Sequence, residues 1–193
     1  MKLIDISRIL NDEALVYSGD IPPKFERVKK IENDNYNRTV ISMSAHSGTH
    51  IDAPNHFITD GKAIHELDLS VFYGECTVVE CAGIIGDSKI IDILKNCSKR
   101  LLFKGQNELS ENAATLISDS HVKLIGVESH CVGNINHPLL VHVILLKKGV
   151  VLVEGLDLSN VNPGEYIISA FPLNIQDSDG SPVRAVLIDN NNF

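Results

Sequence analysis

The sequence predicts an α/β fold, and three observations carry that expectation. Seven short apolar runs are rich in β-branched residues, three longer segments have helical periodicity, and the helical segments fall between the strand-like runs. The helix expected over 137–148 is followed directly by the apolar run 150–153, which makes a tight helix–turn–strand unit.

Taken in order, Met1-Lys2-Leu3-Ile4-Asp5-Ile6 meets an acid too early for a signal peptide and reads as a strand. The apolar runs 39–43, 76–81, 100–103, 122–127, 150–153, 166–171 and 183–188 are the other strand candidates. Segment 88–96 places Ile90, Ile91, Ile93 and Leu94 on one broad face. Segment 110–118 opens with Ser110, a good N-cap, ahead of Glu111. Segment 137–148 has Pro138 early and Gly149 as its stop. No repeat and no linker-like tract interrupts the chain, so residues 1–193 are expected to form a single domain.

Composition narrows the function classes. Apolar residues make up 44% of the 193, enough for a substantial core. Lys plus Arg number 17 against 25 Asp plus Glu, a net charge of -8. A protein that grips phosphate needs a basic surplus, so nucleic acid and anionic membrane are poor partners. No apolar run is long enough to span a bilayer. The four cysteines form no CxxC pair and read as reduced thiols, which points to a cytoplasmic chain. Cys76 and Cys81 read as core. Cys131 follows His130, so a thiolate–imidazole pair and a redox-sensing role are conceivable there, although neighbours on a strand face opposite ways.

The chemistry lies in Ala45-His46-Ser47-Gly48-Thr49-His50-Ile51-Asp52-Ala53-Pro54-Asn55-His56-Phe57. Three of the eight histidines and one Asp fall within eleven residues, in the pattern H-x3-H-x-D-x3-H. Four such groups are hard to bury without partners, and imidazole with carboxylate suits Zn, Mn or Fe(II). Gly48, Thr49, Ile51 and Pro54 argue against a helix. In an extended stretch His50 and Asp52 point the same way and can grip one ion, while a turn at Gly48 folds His46 back onto it. Pro54 then leads to His56, placed as acid or base, a role suited to imidazole with its ordinary pKa near 6.5. The alternative is three surface or capping histidines. Glu is absent from the motif, so this is not the H-E-x-x-H pattern.

The run His46 to Phe57, HSGTHIDAPNHF, resembles the signature of the cyclase-like family of metal-dependent hydrolases, the family of bacterial kynurenine formamidase. The resemblance continues through His142-Val143-Ile144-Leu145-Leu146, Gly149 and Val153-Glu154-Gly155-Leu156. It extends to Phe171-Pro172-Leu173 with Asp179-Gly180-Ser181-Pro182-Val183-Arg184-Ala185, and to Tyr17-Ser18-Gly19-Asp20 near the start. It implies a swivelling β/β/α fold in a homodimer or homotetramer, and Zn or Mn, two ions per chain. His46, His50 and Asp52 would hold one ion. Asp52 would bridge to a second, completed by His142, and Glu154 would bridge both. His56 would be the catalytic acid/base and Tyr17 a substrate contact. The implied activity is hydrolysis of a small amide, with an aryl formamide such as N-formylkynurenine (tryptophan catabolism) leading. A cyclic imide or isatin-like substrate, or a non-catalytic metal-binding module, is the alternative. Two departures bear on the substrate wall: Val143 stands where the family commonly has a second His, and the chain has no Trp where Tyr17 stands.

The remaining polar residues mostly have ordinary explanations. Glu128, ending a buried-type strand, reads as a group that could orient a ligand. His65, Glu66 and His121 read as solvated, and Arg184 as a partner for one of the many acids. His130 and His137 could line the site, but the reading leans against it.

Overall fold

The computed structural model describes residues 1–14, 16–17 and 19–189, so Ser18 of the Tyr17–Asp20 motif lies outside the described residues. In chain order the strands and helices are β1 (Lys2–Asp5), β2 (Lys24–Lys29), α1 (Ile31–Asp34), β3 (Arg38–Ser42), β4 (His50–Asp52), β5 (Tyr73–Glu80), β6 (Gly83–Ile85) and α2 (Asp87–Leu94). They continue with β7 (Arg100–Lys104), β8 (Asn107–Leu109), α3 (Glu111–Ser118), β9 (Leu124–Val127), α4 (Leu139–Lys147), β10 (Val151–Glu154), β11 (Gly164–Ser169), β12 (Gly180–Pro182) and β13 (Val186–Asp189).

Nine strands form one sheet in the order β1-β13-β11-β5-β7-β9-β10-β4-β12. The centre, β5-β7-β9-β10, is parallel. Helices α2, α3 and α4 carry the chain between these strands, as parallel pairing requires. Both ends of the sheet pair antiparallel.

Alternation along the strands divides the core in two. Leu101, Phe103, Ile125, Val127 and Leu152 face the helices and pack with Ile90, Ala113, Ile117, Val141 and Leu145. Leu102, Leu124, Val151 and Val153 face the other way. There they meet Ile51 from one end of the sheet and Ile168 and Leu187 from the other. Residues from opposite ends share that cluster because the sheet curls onto itself. This β/β/α layering is the fold class the sequence predicts. Burial of each such large side chain contributes about 1.5–3 kcal/mol.

The expected helices form within a residue or three of their predicted limits. Ser110 Oγ accepts from the Ala113 amide at 3.2 Å, so the expected cap is made. In α4, Val141, His142, Leu145 and Leu146 are buried while Leu139 and Leu140 stay exposed, which sets one face against the sheet. Glu154, expected just past its strand, is the last residue of β10. β3 matches the strand expected over 39–43, whereas its partner β2 and the short α1 between them have no counterpart in the predicted elements. Among the described residues no helix is long and apolar enough to cross a membrane.

Candidate metal centre and its cavity

Strand β4 enters the sheet between β10 and β12. Its register sets Asp52 opposite Leu152 and His50 opposite Glu154. Paired residues share a face, so His50, Asp52 and Glu154 all point to the helix side. From that side α4 delivers His142. Four side chains from three elements, distant in sequence, thus meet at the carboxyl end of β10.

The approach of the chain to β4 depends on two glycines. Gly48 has φ +66° and Gly155 φ +69°. A Cβ on Gly155 would lie 2.4 Å from the Gly48 carbonyl oxygen, so the two backbones can close up only with glycine there. Thr49 Oγ1 donates to the Gly155 carbonyl at 2.6 Å and locks the contact.

Each imidazole is oriented by a backbone carbonyl. His50 Nδ1 lies 3.0 Å from Gly48 O, and His142 Nδ1 lies 2.8 Å from Pro138 O. A carbonyl only accepts, so both Nδ1 atoms carry a proton and both Nε2 atoms face the cluster. His50 Nε2 is 3.5 Å from Asp52 Oδ1 and 3.7 Å from Glu154 Oε2. His142 Nε2 is 3.6 Å from Asp52 Oδ2 and 3.2 Å from Glu154 Oε1. Each carboxylate therefore turns one oxygen to each imidazole. The Val132 amide donates to Glu154 Oε1 at 2.7 Å and fixes that carboxylate.

This arrangement fits a divalent cation. Two buried carboxylates and two imidazole Nε2 atoms converge with gaps mostly too long for good hydrogen bonds, as expected of donors about 2.0–2.2 Å from a shared ion. Within the cluster, ligand atoms of His50, Asp52 and Glu154 all lie within 4.8 Å of one another, as do those of His46, Asp52 and His56.

His46 and His56 form the outer rim. His46 Nδ1 meets Asp52 Oδ1 at 2.9 Å and its Nε2 meets Asp179 Oδ2 at 2.9 Å. Burial disfavours the His46 imidazolium, but the hydrogen bonds to Asp179 and Asp52 outweigh it and raise its pKa to about 10. His46 must therefore release a proton to join a donor set. Burial likewise disfavours the Asp52 carboxylate, and the hydrogen bond from His46 with the charge of His50 brings it down to about 2. The His56 ring stacks on His46 with centroids 4.1 Å apart, and its Nδ1 meets Asp179 Oδ2 at 3.2 Å. Hydrogen bonds from both histidines hold the Asp179 carboxyl well below the usual range. With Nδ1 held, Nε2 of His56 is left to exchange a proton.

A cavity of about 320 Å³ opens over the cluster, its other walls including Tyr17, Phe57, His130, Cys131 and Pro138. Tyr17 donates its hydroxyl proton to Ile135 O at 3.2 Å. Burial pushes the Cys131 thiol up to about 12, with Glu154 adding to the effect, so it is no thiolate. His130 lines the cavity, against the leaning of the sequence, whereas His137 does not. Burial, and after it the nearby His50 and Arg8, lower the His130 pKa.

Glu128 turns away from the cluster, tying down the Gly105 and Leu158 amides at 2.6 and 2.9 Å. Arg184 pairs with Asp5 at 2.5 Å on the surface, as an ordinary ion pair. Asp179 had no role assigned to it in the sequence, although it sits inside the closing motif. Its signal was an acid followed by Gly180, and only the β12–β4 pairing brings it to the histidines.

A curled sheet, helices on one face and a buried imidazole–carboxylate cavity at the strand ends define a β/β/α protein with a candidate metal centre. The chain belongs to the cyclase family: residues 4–101 match the family described as Putative cyclase. It is 34% identical to the kynurenine formamidase of Bacillus cereus over 200 aligned positions, which cover 95% of this chain and 96% of that one. It superposes on a structure described as a potential metal-dependent hydrolase with cyclase activity, with TM-score 0.84 and 25% identity, covering 96% of each chain. Isatin hydrolase A from Labrenzia aggregata shares the fold, with TM-score 0.85 at 19% identity, over 96% of this chain and 93% of that one.

Proposed function

We propose that this chain is a metal-dependent amidohydrolase that cleaves the C–N bond of an aryl formamide, N-formylkynurenine being the leading candidate. One observation carries the reading: Asp52 and Glu154 each face both His50 and His142 through different oxygens. That is the arrangement expected of carboxylates that bridge two ions, and Zn or Mn suits the donor set. His46 would help to hold one ion and His142 the other. When bound, a divalent cation polarises the amide carbonyl and lowers the pKa of water toward about 7.

The residues do the rest. Asp179 holds His56 by Nδ1. His56 takes the proton from the attacking water and returns it to the departing amine through Nε2, the usual share of a general acid/base. Phe57 packs against both His56 and His142, with ring centroids at 4.3 and 4.7 Å, and keeps water out of that side. Tyr17 supplies a flat aromatic wall for the substrate ring.

The reading includes a single domain over residues 1–193, a cytoplasmic location and a homodimer or homotetramer. The β2–β3 hairpin supports self-association. Every residue of β3 is exposed, and Val28, Ile31, Tyr36, Val40 and Ile41 leave apolar surface open on an element that is marginal alone in water. Residues 24–42 hold five basic against three acidic side chains on a chain of net charge -8, so this arm complements the acidic body of a second copy.

The test is elemental analysis of protein purified without chelators, with an aryl formamide assay before and after EDTA. Bound divalent metal, activity lost with EDTA and restored on adding Zn or Mn is the expected result. Metal-free protein with full activity would sink the proposal.

A further inference from the structure

A second cavity, of about 540 Å³, lies at the opposite end of the parallel strands from the metal centre. Arg100 opens β7, Lys99 directly precedes it and Lys123 directly precedes β9, so three cations gather at the amino ends of these strands, whereas Glu154 closes β10. The Lys123 and Leu124 amides donate to Lys99 O at 2.7 and 3.3 Å and hold the two lysines side by side. The proposed hydrolysis uses none of these groups.

Arg100 lines the cavity but is only 8% exposed. Its Nε donates to Val71 O at 2.7 Å, Nη1 to Glu75 O at 3.3 Å and Nη2 to Ser70 O. These carbonyls fix the guanidinium and take three of its five N–H groups, yet they bring no negative charge. Gly74 makes room for it, since a Cβ there would lie 2.8 Å from Nη1. Among the described residues, the ion pairs of lysine and arginine involve Lys29, Lys95, Lys148 and Arg184, and none of the three cations of this cavity. Buried charges are normally paired, so a cation fixed on a cavity wall without a counter-charge marks a place for an anion. Asp68 and Glu75 also line the cavity, and Glu75 acts on Arg100 only from beyond ion-pairing range. Three cations against these two acids leave one net positive charge, which suits a monoanion better than a phosphate dianion. Tyr73 adds an exposed aromatic wall, its ring lying at 13° to that of Phe171 with centroids 6.4 Å apart.

We propose that this cavity is a second binding site, for a small aromatic carboxylate, with Arg100, Lys99 and Lys123 holding the carboxylate and Tyr73 taking the ring. Guanidinium and ammonium groups bond a carboxylate through charge-assisted hydrogen bonds, and an amide of the same shape offers them no charge. The site stands apart from the metal centre, so its ligand binds whether or not the chain hydrolyses amides.

Calorimetry on the metal-loaded full chain tests this with benzoate as the probe, beside benzamide and inorganic phosphate. Benzoate is expected to bind with a millimolar or tighter dissociation constant, and benzamide and phosphate about tenfold or more weakly, the scale of one charge-assisted hydrogen bond. Lys99→Gln with Lys123→Gln weakens benzoate by about tenfold or more while melting temperature and metal content stay as in the wild type. Arg100→Gln, checked for folding by circular dichroism, abolishes binding; because Arg100 also ties down Ser70, Val71 and Glu75, the exposed lysine pair decides the matter if that variant fails to fold. Benzoate binding survives EDTA treatment, which strips any metal-held carboxylate. No benzoate binding at about 10 mM, a benzamide or phosphate affinity equal to that of benzoate, an affinity unchanged in the lysine variant, or complete loss of binding with EDTA each overturns the proposal.

Discussion

Glu154 stands directly across the antiparallel β4–β10 ladder from His50. Its Oε2 is 3.7 Å from His50 Nε2, while its Oε1 is 3.2 Å from His142 Nε2 on α4. One carboxylate thereby links a strand histidine and a helix histidine that lie 92 positions apart in number, and the strand register alone sets the first of these contacts. Glu154→Gln keeps the shape and removes the charge. Metal affinity is expected to fall by more than the 10–100-fold typical of outer partners, with activity falling alongside. Elemental analysis after dialysis against a graded chelator measures it. Undiminished metal retention would remove Glu154 from the donor set.

His56 and Asp52 are expected to separate cleanly. His56→Ala keeps the metal and loses about 10²–10⁴-fold in kcat, the range for a general acid/base. Asp52→Ala loses the metal as well, because Asp52 touches His46, His50 and His142 at once. Metal per chain and kcat, measured on both variants, decide between these roles.

Asp179 is a positioning residue for His46 and His56. Asp179→Asn is expected to lower kcat about 10–100-fold with the metal retained. Its pH signature follows from the shifts. His46 is raised from 6.5 to about 10 in the folded chain, so its pairing is fully present below pH 6.5 and lost as pH rises through about 10. The Asp179 carboxyl is depressed below its ordinary 3.8, so its share is present above that value and lost in acid. In EDTA-treated protein the melting-temperature gap between wild type and Asp179→Asn should be widest between about pH 4 and 6.5 and narrow by pH 10. A gap independent of pH would show that the pair contributes nothing.

Gly180 packs against the His46 ring. A Cβ there would lie 2.6 Å from His46 Cε1 and 2.8 Å from Ile51 O. Gly180→Ala is expected to cost about 1–3 kcal/mol of stability and to displace His46. Denaturant unfolding together with kcat measures both effects, and an unchanged kcat would mean the ring relaxes harmlessly.

Local chemistry made much of this legible. His50 and Asp52, two apart in an extended stretch, had to share a face, and they do. The Ser110 cap and the stop at Gly149, with φ +76°, follow from backbone needs that act within one turn. His142 and Glu154 stood out as polar residues interrupting apolar runs. Asp179 did not stand out, and the sequence leaned against a place for His130 in the cavity. One stands in a closing turn and the other in a loop, and neither has a periodicity to betray it. β3 showed as the apolar run 39–43, but its partner β2 was hidden for a related reason: it is largely exposed, so no alternation of apolar and polar residues announces it.

The sequence by itself determined the α/β class, the two faces of the sheet and the histidine–aspartate motif, because each depends on contacts a few residues long. The tertiary structure alone decided that β4 would lie between β10 and β12. It also decided that Asp179 would reach His46 and His56, and that His130 would line the cavity. Strand pairing across more than a hundred residues is selected by the energy of the whole curled sheet, and no local pattern in the chain records that choice.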